Sequence, residues 1–288
     1  MNWLQAMSKL NRDNISFVLV TVVSIEGSSP RDAQTKMVVD KEQCYDTIGG
    51  GNLEYQAIQI AREFLQSSKS RIEMQSFTLG NDLSQCCGGK VELMFESFLA
   101  CNFQIALFGA GHVGKALAGI LAELPCRVIW ADSRPDLLQK NFQAIGCPEN
   151  IEPVTLHNPF ELVAGLPADC FYLVMTHSHE IDFELCEAIL NRADISYCGL
   201  IGSKSKAGSF RGRLKRKQYT ETELQRLTSP MGMDIGGAKQ PMAVAVSVAA
   251  EIMKLHSQVK NPTVASDEPL RSESKPKLVD LQAKRQQP

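Results

Sequence analysis

The sequence predicts an α/β protein in two parts, a mostly-β N-terminal part followed by a doubly wound parallel sheet. Three observations carry this. The chain has 288 residues, 44% of them apolar, which at about 150 residues per domain gives roughly two cores. Before residue 100 the apolar runs are short, rich in β-branched residues and separated by turn-like segments. From Phe103 onward strand patterns alternate with helical ones, as in a parallel sheet with crossover helices.

In chain order, Trp3, Leu4, Met7 and Leu10 have helical spacing and predict one amphipathic helix. SFVLVTVVSI is rich in β-branched residues and reads as a strand, and KMVVD as a second after the turn-like GSSPRDAQ. A third strand near Tyr45–Ile48 runs into Gly49-Gly50-Gly51. Asn52 is placed to cap the helix LEYQAIQIAREFLQ, with Ile58, Ala61 and Leu65 on one face. RIEMQSFTL and KVELMFESF are two more strands flanking GNDLSQCCGG. This first domain is expected over residues 1–100, and the second over 103–256. In the second, FQIALF, RVIWAD, DCFYLVMT and SYCGLIG read as buried strands, each followed by a helical pattern. The last helix opens at Gln240-Pro241, where a first turn tolerates proline. Residues 257–288 hold 8 apolar residues against 10 charged ones and 4 prolines, the composition of a flexible charged tail.

Composition excludes several classes. Thirty basic residues stand against 32 acidic ones, a net charge of −2, so no nucleic-acid partner is expected. The longest mainly apolar runs, Ile15–Val23 and Met242–Ala250, fall short of the roughly 18 residues a membrane span needs. MNWLQAMSKLNRDN has neither a basic start nor a sustained apolar stretch, so a cytoplasmic location is expected. Nine cysteines, an odd number with no CxxC spacing, point to reduced thiols, buried and structural by default.

The sharpest motif is LFGAGHVGKAL, residues 107–117. Gly109, Gly111 and Gly114 follow an apolar strand, and His112 opens the helix behind them. The first glycine permits the tight turn, the second a close approach of backbone to phosphate, and the third close packing of helix on strand. Asp132 ends the next strand, 23 residues after Gly109, where an acid can accept from a ribose hydroxyl. A Rossmann-like domain follows. The ligand stays open, because the same loop holds any phosphate and a fold can also be kept without one.

MTHSHEID, residues 175–182, ends a predicted parallel strand, which places His177, His179 and Asp182 at the crevice shared with the glycine loop. His-x-His offers metal ligands or proton transfer, or simply caps the strand end. In the first domain, GSSPR offers Ser28, Ser29 and Arg31 to an anionic group. IGGGNLE forms a glycine nest at 49–51 leading into a helix that carries Glu54. QCCGG places Cys86 and Cys87 beside glycines, where an exposed thiolate binds a soft metal or carries sulfur. Gly202-Ser203-Lys204 ends a predicted strand and faces an anionic ligand, at the head of a run with seven Lys and Arg. The loop TSPMGMDIGG, before the last helix, is long enough to suggest a ligand contact.

GSSPR, KM at 36–37, IGGGNLE, QCCGG, GAGHVG, THSHEID, LIGSKSK and SPMGMDIGG occur in this order up to residue 255. The series resembles the XdhC/CoxI family, accessory proteins in the maturation of xanthine dehydrogenase and related molybdenum hydroxylases. The resemblance implies an XdhC/CoxI domain followed by a Rossmann domain. It further implies binding of molybdenum cofactor, its protection while the terminal sulfido ligand is installed, and delivery to the apo-enzyme. The implied partners are apo xanthine dehydrogenase or a related molybdoenzyme and a cysteine desulfurase, with a homodimer as the expected assembly. On this reading the glycine nests at 49–51 and 109–114 cradle phosphate, and Arg31 and Lys204 neutralise it. Cys86 or Cys87 lies near molybdenum, Cys87 first among them, and His177 and Asp182 orient labile ligands. Two departures stand out: THSHEID where the family reads close to THDHALD, and Gln240-Pro241-Met242 where it usually carries an acidic helix start. The rival reading is an NAD(P)-dependent oxidoreductase with Asp132 on the ribose and His177 or His179 as acid-base group. A third is a partner-docking scaffold with no small ligand.

Overall fold

A computed structural model describes residues 1–27, 31–67, 70–79, 89–236 and 239–260. In chain order the elements are α1 (Trp3–Arg12), β1 (Phe17–Glu26), β2 (Lys36–Asp40), β3 (Cys44–Tyr45), α2 (Gly51–Phe64), β4 (Ile72–Thr78), β5 (Lys90–Phe98), β6 (Gln104–Phe108), α3 (His112–Ala122), β7 (Arg127–Asp132) and α4 (Pro135–Ala144). There follow β8 (Ile151–Thr155), α5 (Pro159–Ala164), β9 (Cys170–Val174), α6 (His179–Leu190), β10 (Ile195–Leu200), α7 (Lys204–Arg216), α8 (Glu221–Gln225), β11 (Leu227–Thr228) and α9 (Pro241–Lys260).

The N-terminal strands pair antiparallel in the order β3-β2-β1-β5-β4. Side chains alternate across a strand, and β1 uses both faces: Val18, Val20 and Val22 pack with α2, Phe17 and Leu19 with α1. Helix α1 begins in a capping box, where the Asn2 side chain accepts from Gln5 N at 2.9 Å and the Gln5 side chain accepts from Asn2 N at 3.2 Å. It buries Ala6 and Leu10, one turn apart, while Leu4 stays exposed. Helix α2 starts two residues earlier than the Asn52 cap expected from sequence: Gly50 is the N-cap, and Leu53, Ala57, Ala61 and Phe64 form the buried face. The third strand is shorter than expected, reduced to Cys44–Tyr45, because the chain turns away at Asp46, whose φ is +66°.

The C-terminal sheet is wholly parallel, in the order β11-β10-β9-β6-β7-β8. Starting from β6, the chain adds β7 and β8 on one side and then returns to add β9, β10 and β11 on the other. This is the doubly wound order whose reversal between β6 and β9 opens a crevice at the strands' carboxyl ends. Ile105, Leu107, Trp130, Phe171 and Leu173 pack with α3 and α9 on one face, and Ala106, Phe108, Tyr172, Val174 and Leu200 with α6 and α7 on the other. Two strands went unanticipated. β8 is an edge strand holding Pro153, and β11 is only two residues long. Helix α9 runs to Lys260, past the expected start of the tail at Ser257. Residues 261–288 lie outside the described ones.

Of the seven described cysteines, Cys126, Cys170, Cys186 and Cys198 are buried, whereas Cys44 and Cys147 are exposed, against the expectation that all seven are structural. Burial pushes the Cys126 and Cys170 thiols up to about 12, so they stay protonated and inert. Among the described residues no helix is long and apolar enough to cross a membrane.

Candidate functional site: the crevice at the carboxyl ends of β6, β9 and β10

The glycine loop leaves β6 at Gly109, whose φ is +120°. A β-carbon there would lie 2.3 Å from the Met175 carbonyl oxygen beyond β9, so only glycine lets the two strands' ends pass. A β-carbon on Gly114, inside α3, would lie 2.0 Å from the Gly109 carbonyl oxygen. Gly111 differs, because a β-carbon on it would meet nothing within 4 Å. Gly109 and Gly114 are therefore demanded by packing, while the absence of a side chain at Gly111 leaves open space over the start of α3.

The loop is anchored from behind. Gly109 O accepts from the Trp130 indole at 3.0 Å, Ala110 O from Asn141 Nδ2 at 2.8 Å, and Ala110 N donates to Asp132 Oδ2 at 2.6 Å. The neighbouring crevice helices are closed by side chains: Ser178 Oγ accepts from Glu180 N and Ile181 N, and Ser203 Oγ from Lys206 N. Helix α3 has no side-chain cap at Gly111. Its first N–H groups and positive dipole end are the geometry in which a helix start receives an anion. His112 is exposed at the first helical position.

Asp132 is 1% exposed and saturated by its own chain. Oδ1 accepts from Arg134 N at 2.9 Å and Nε at 2.8 Å, and Oδ2 accepts from Ala110 N at 2.6 Å and Arg134 Nη2 at 2.8 Å. Burial by itself would raise its pKa, but the bonds from Arg134 and Ala110 outweigh that and hold the carboxyl below the usual range. A carboxylate has about four acceptor positions. All are used here, so the ribose role expected from sequence has no vacant acceptor.

Across the crevice Asp182 is fully buried. It accepts from Thr176 N at 2.9 Å, Thr176 Oγ1 at 2.7 Å and Lys206 Nζ at 2.6 Å. The sequence reading chose Lys204, which is exposed at the start of α7, and missed Lys206 two residues on. Helical side chains lean toward the N-terminus, so the third residue of α7, not the first, reaches back over the strand ends. Gly202, with φ +152°, makes room: a β-carbon there would lie 2.6 Å from Lys206 Cδ. His177 and His179 are both exposed, the latter edge-on to Phe210 with ring centroids 6.4 Å apart. Among the described residues no group of three His, Cys, Asp or Glu is gathered to hold a metal.

The other anion nest is satisfied internally. Gly49, Gly50 and Gly51 all have positive φ, and Glu54 Oε2 accepts from Ile48 N and Gly50 N at 3.1 Å each and from the Thr47 hydroxyl. The carboxylate of Glu54 thus sits where an external anion was expected. Replacing Glu54 with Ala is expected to cost about 2 kcal/mol by stripping a charged acceptor from three donors, with Glu54→Gln milder because it still accepts. Denaturant midpoints of the two variants check this order. Arg31 is exposed in the first domain, and Ser28, Cys86 and Cys87 lie outside the described residues. Away from this crevice, a cavity of about 830 Å³ opens at the amino ends of the parallel strands, between Asn11, Phe98, Cys101 and Arg127.

The strand order and the pinned, uncapped glycine loop define a Rossmann-type binding domain joined to an antiparallel N-terminal unit. The family description XdhC Rossmann domain matches residues 105–252, and XdhC and CoxI family matches residues 10–78. The chain belongs to the XdhC and CoxI family. It is 30% identical over 273 residues to Escherichia coli K12 YqeB, an uncharacterized protein, covering 91% of this chain and 47% of that one. It is also 30% identical over 171 residues to a probable xanthine dehydrogenase component from Bacillus subtilis, covering 58% of this chain and 47% of that protein. The chain thus spans about half the length of the curated relatives it matches. A solved structure of a xanthine dehydrogenase from Bacillus halodurans aligns with TM-score 0.47 at 18% identity, over 92% of this chain and 98% of that one.

Proposed function

We propose that this chain is a molybdenum-cofactor carrier in the maturation of xanthine dehydrogenase or a related molybdenum hydroxylase. It would hold the cofactor while the terminal sulfur is installed and pass it to the apo-enzyme. Family membership supports the maturation role. The observation that carries the binding role is Gly111: glycine there serves no packing need, yet it opens the uncapped start of α3 to a phosphate. The cargo is a pterin with a phosphate and a dithiolene, so its phosphate is assigned to the α3 N–H groups. Lys206, held over Phe210 at 5.4 Å and on Asp182, supplies a fixed positive charge across the crevice. His177 and His179 stand exposed at its mouth. The thiols of Cys86 and Cys87, with Cys87 first, are assigned to the molybdenum or sulfur end. A cysteine desulfurase and the apo-dehydrogenase are the proposed partners, and a cytoplasmic homodimer the proposed assembly. The oxidoreductase alternative loses ground because Asp132 has no acceptor left for an unmodified ribose.

The test is anaerobic co-elution of the full chain with released molybdenum cofactor, read by metal analysis and pterin fluorescence with NAD in parallel. Near-stoichiometric molybdenum and pterin are expected, falling at least tenfold in Gly111→Ala while the melting temperature stays within a few degrees. Absent retention, together with NAD binding and substrate-dependent reduction, would establish the oxidoreductase instead. A Cys86→Ala, Cys87→Ala chain that binds and delivers sulfurated cofactor normally would remove the thiols from the scheme.

A further inference from the structure

We infer that Asp132 and Arg134 form a specificity element that rejects a free ribose diol at the far corner of the glycine loop and admits a phosphate ester there. This rests on the reading that the crevice binds a phosphate-bearing ligand. An acid at the end of the second strand normally accepts from a ribose 2′-hydroxyl, whereas a nearby arginine accommodates a 2′-phosphate. Here both residue types are present, and the geometry decides between them. Asp132 is buried, with both oxygens occupied by Ala110 N, Arg134 N and the Arg134 side chain. Arg134 lies above it, and its side chain is 38% exposed.

The guanidinium grips the carboxylate side-on through Nε and Nη2, both at 2.8 Å. That grip leaves the Nη1 edge on the far side, two donors in the planar fork that suits phosphate. The face presented at this corner is therefore the cation, with the acid beneath it as its support. A ribose diol would have to displace Arg134 and break two charge-assisted bonds to reach Asp132. A phosphate ester meets donors already oriented. The same exclusion acts on any nucleotide-extended ligand that places an unmodified ribose beside the glycine loop, and leaves a ligand ending in a phosphomonoester unaffected.

The test compares NADP+ with NAD+ as probes that differ only in the 2′-phosphate, by calorimetric titration of the full chain. The wild type is expected to bind NADP+ at least tenfold more tightly. In Arg134→Ala, Asp132 is released, and the ratio is expected to collapse to about one or invert in favour of NAD+. Should Arg134→Ala fail to fold, Arg134→Lys decides, since it keeps the charge, loses the side-on fork, and is expected to lose most of the preference. Equal affinities in the wild type, binding of neither probe, or a preference unchanged in the folded variant overturns the assignment. Cofactor retention is measured on the same preparations. Retained molybdenum and pterin without the NADP+ preference would sink this inference and leave the carrier reading standing, while loss of retention with the preference intact would do the reverse.

Discussion

Gly109→Ala is expected to abolish the folded Rossmann domain, and Gly114→Ala to do nearly the same, while Gly111→Ala folds normally. Three glycines in one six-residue motif thus separate into two functions. At Gly109 the new methyl would overlap the Met175 carbonyl, and the φ of +120° is strained for any other residue. Neither neighbour can yield, because Met175 N is itself bonded to Phe108 O at 2.9 Å as the strand ladder continues. At Gly114 the methyl would meet the Gly109 carbonyl, which Trp130 holds in place. Each clash is with backbone, and the cost is expected to reach about 4 kcal/mol or more, the range reserved for overpacked cores and forced φ values. At Gly111 the methyl enters open space, so stability should stay within about 1 kcal/mol of the parent while ligand retention falls. Thermal unfolding of the three variants beside cofactor retention reads both effects. Equal destabilisation by all three would show that Gly111 is another packing glycine and remove the main support for a phosphate at α3.

What the sequence made legible follows from how local each constraint is. The glycine loop is a steric requirement expressed within six residues, and Gly109, Gly111 and Gly114 could be placed without knowing the rest of the chain. Strands β6, β7, β9 and β10 are buried on both faces and so read as continuous apolar runs. Strand β8 escaped because its edge position tolerates Pro153, which argues against a central strand, and β11 is too short to show a period. In the crevice, residue types were legible but their partners were not. Asp132 was placed at the right strand end, yet whether it offers an acceptor depends on the rotamer of Arg134, two residues on. Lys204 and Lys206 carry the same charge in the same motif. Only the rotation of α7 about its axis, fixed by the burial of Ala207, Phe210 and Leu214, decides which one reaches Asp182. The nest at 49–51 was recognisable as anion-binding backbone, but a Glu54 one turn into α2 can fill it as readily as a ligand does.

The second large effect is expected at the Asp182–Lys206 pair. Asp182 is fully buried and Lys206 nearly so, with side-chain exposures of 0% and 11%. Removing the lysine in Lys206→Met leaves a carboxylate in the interior with only the two Thr176 donors, and breaking a buried pair in this way costs about 3–5 kcal/mol. Asp182→Asn is the milder change. Its amide oxygen still accepts from Thr176, and the freed ammonium, on a flexible stem, can turn toward solvent. The expected order of melting temperatures is therefore wild type, then Asp182→Asn, then Lys206→Met, with the double variant above Lys206→Met because no uncompensated charge remains. The reverse order of the two single variants would show that burial of the ammonium, rather than of the carboxylate, dominates the pair. Retention of the cofactor separates structure from binding: in Asp182→Asn the lysine persists without its anchor. If the fixed position of Lys206 matters to an anionic ligand, retention falls more than the small loss of stability explains. If the pair serves packing alone, retention and stability fall together.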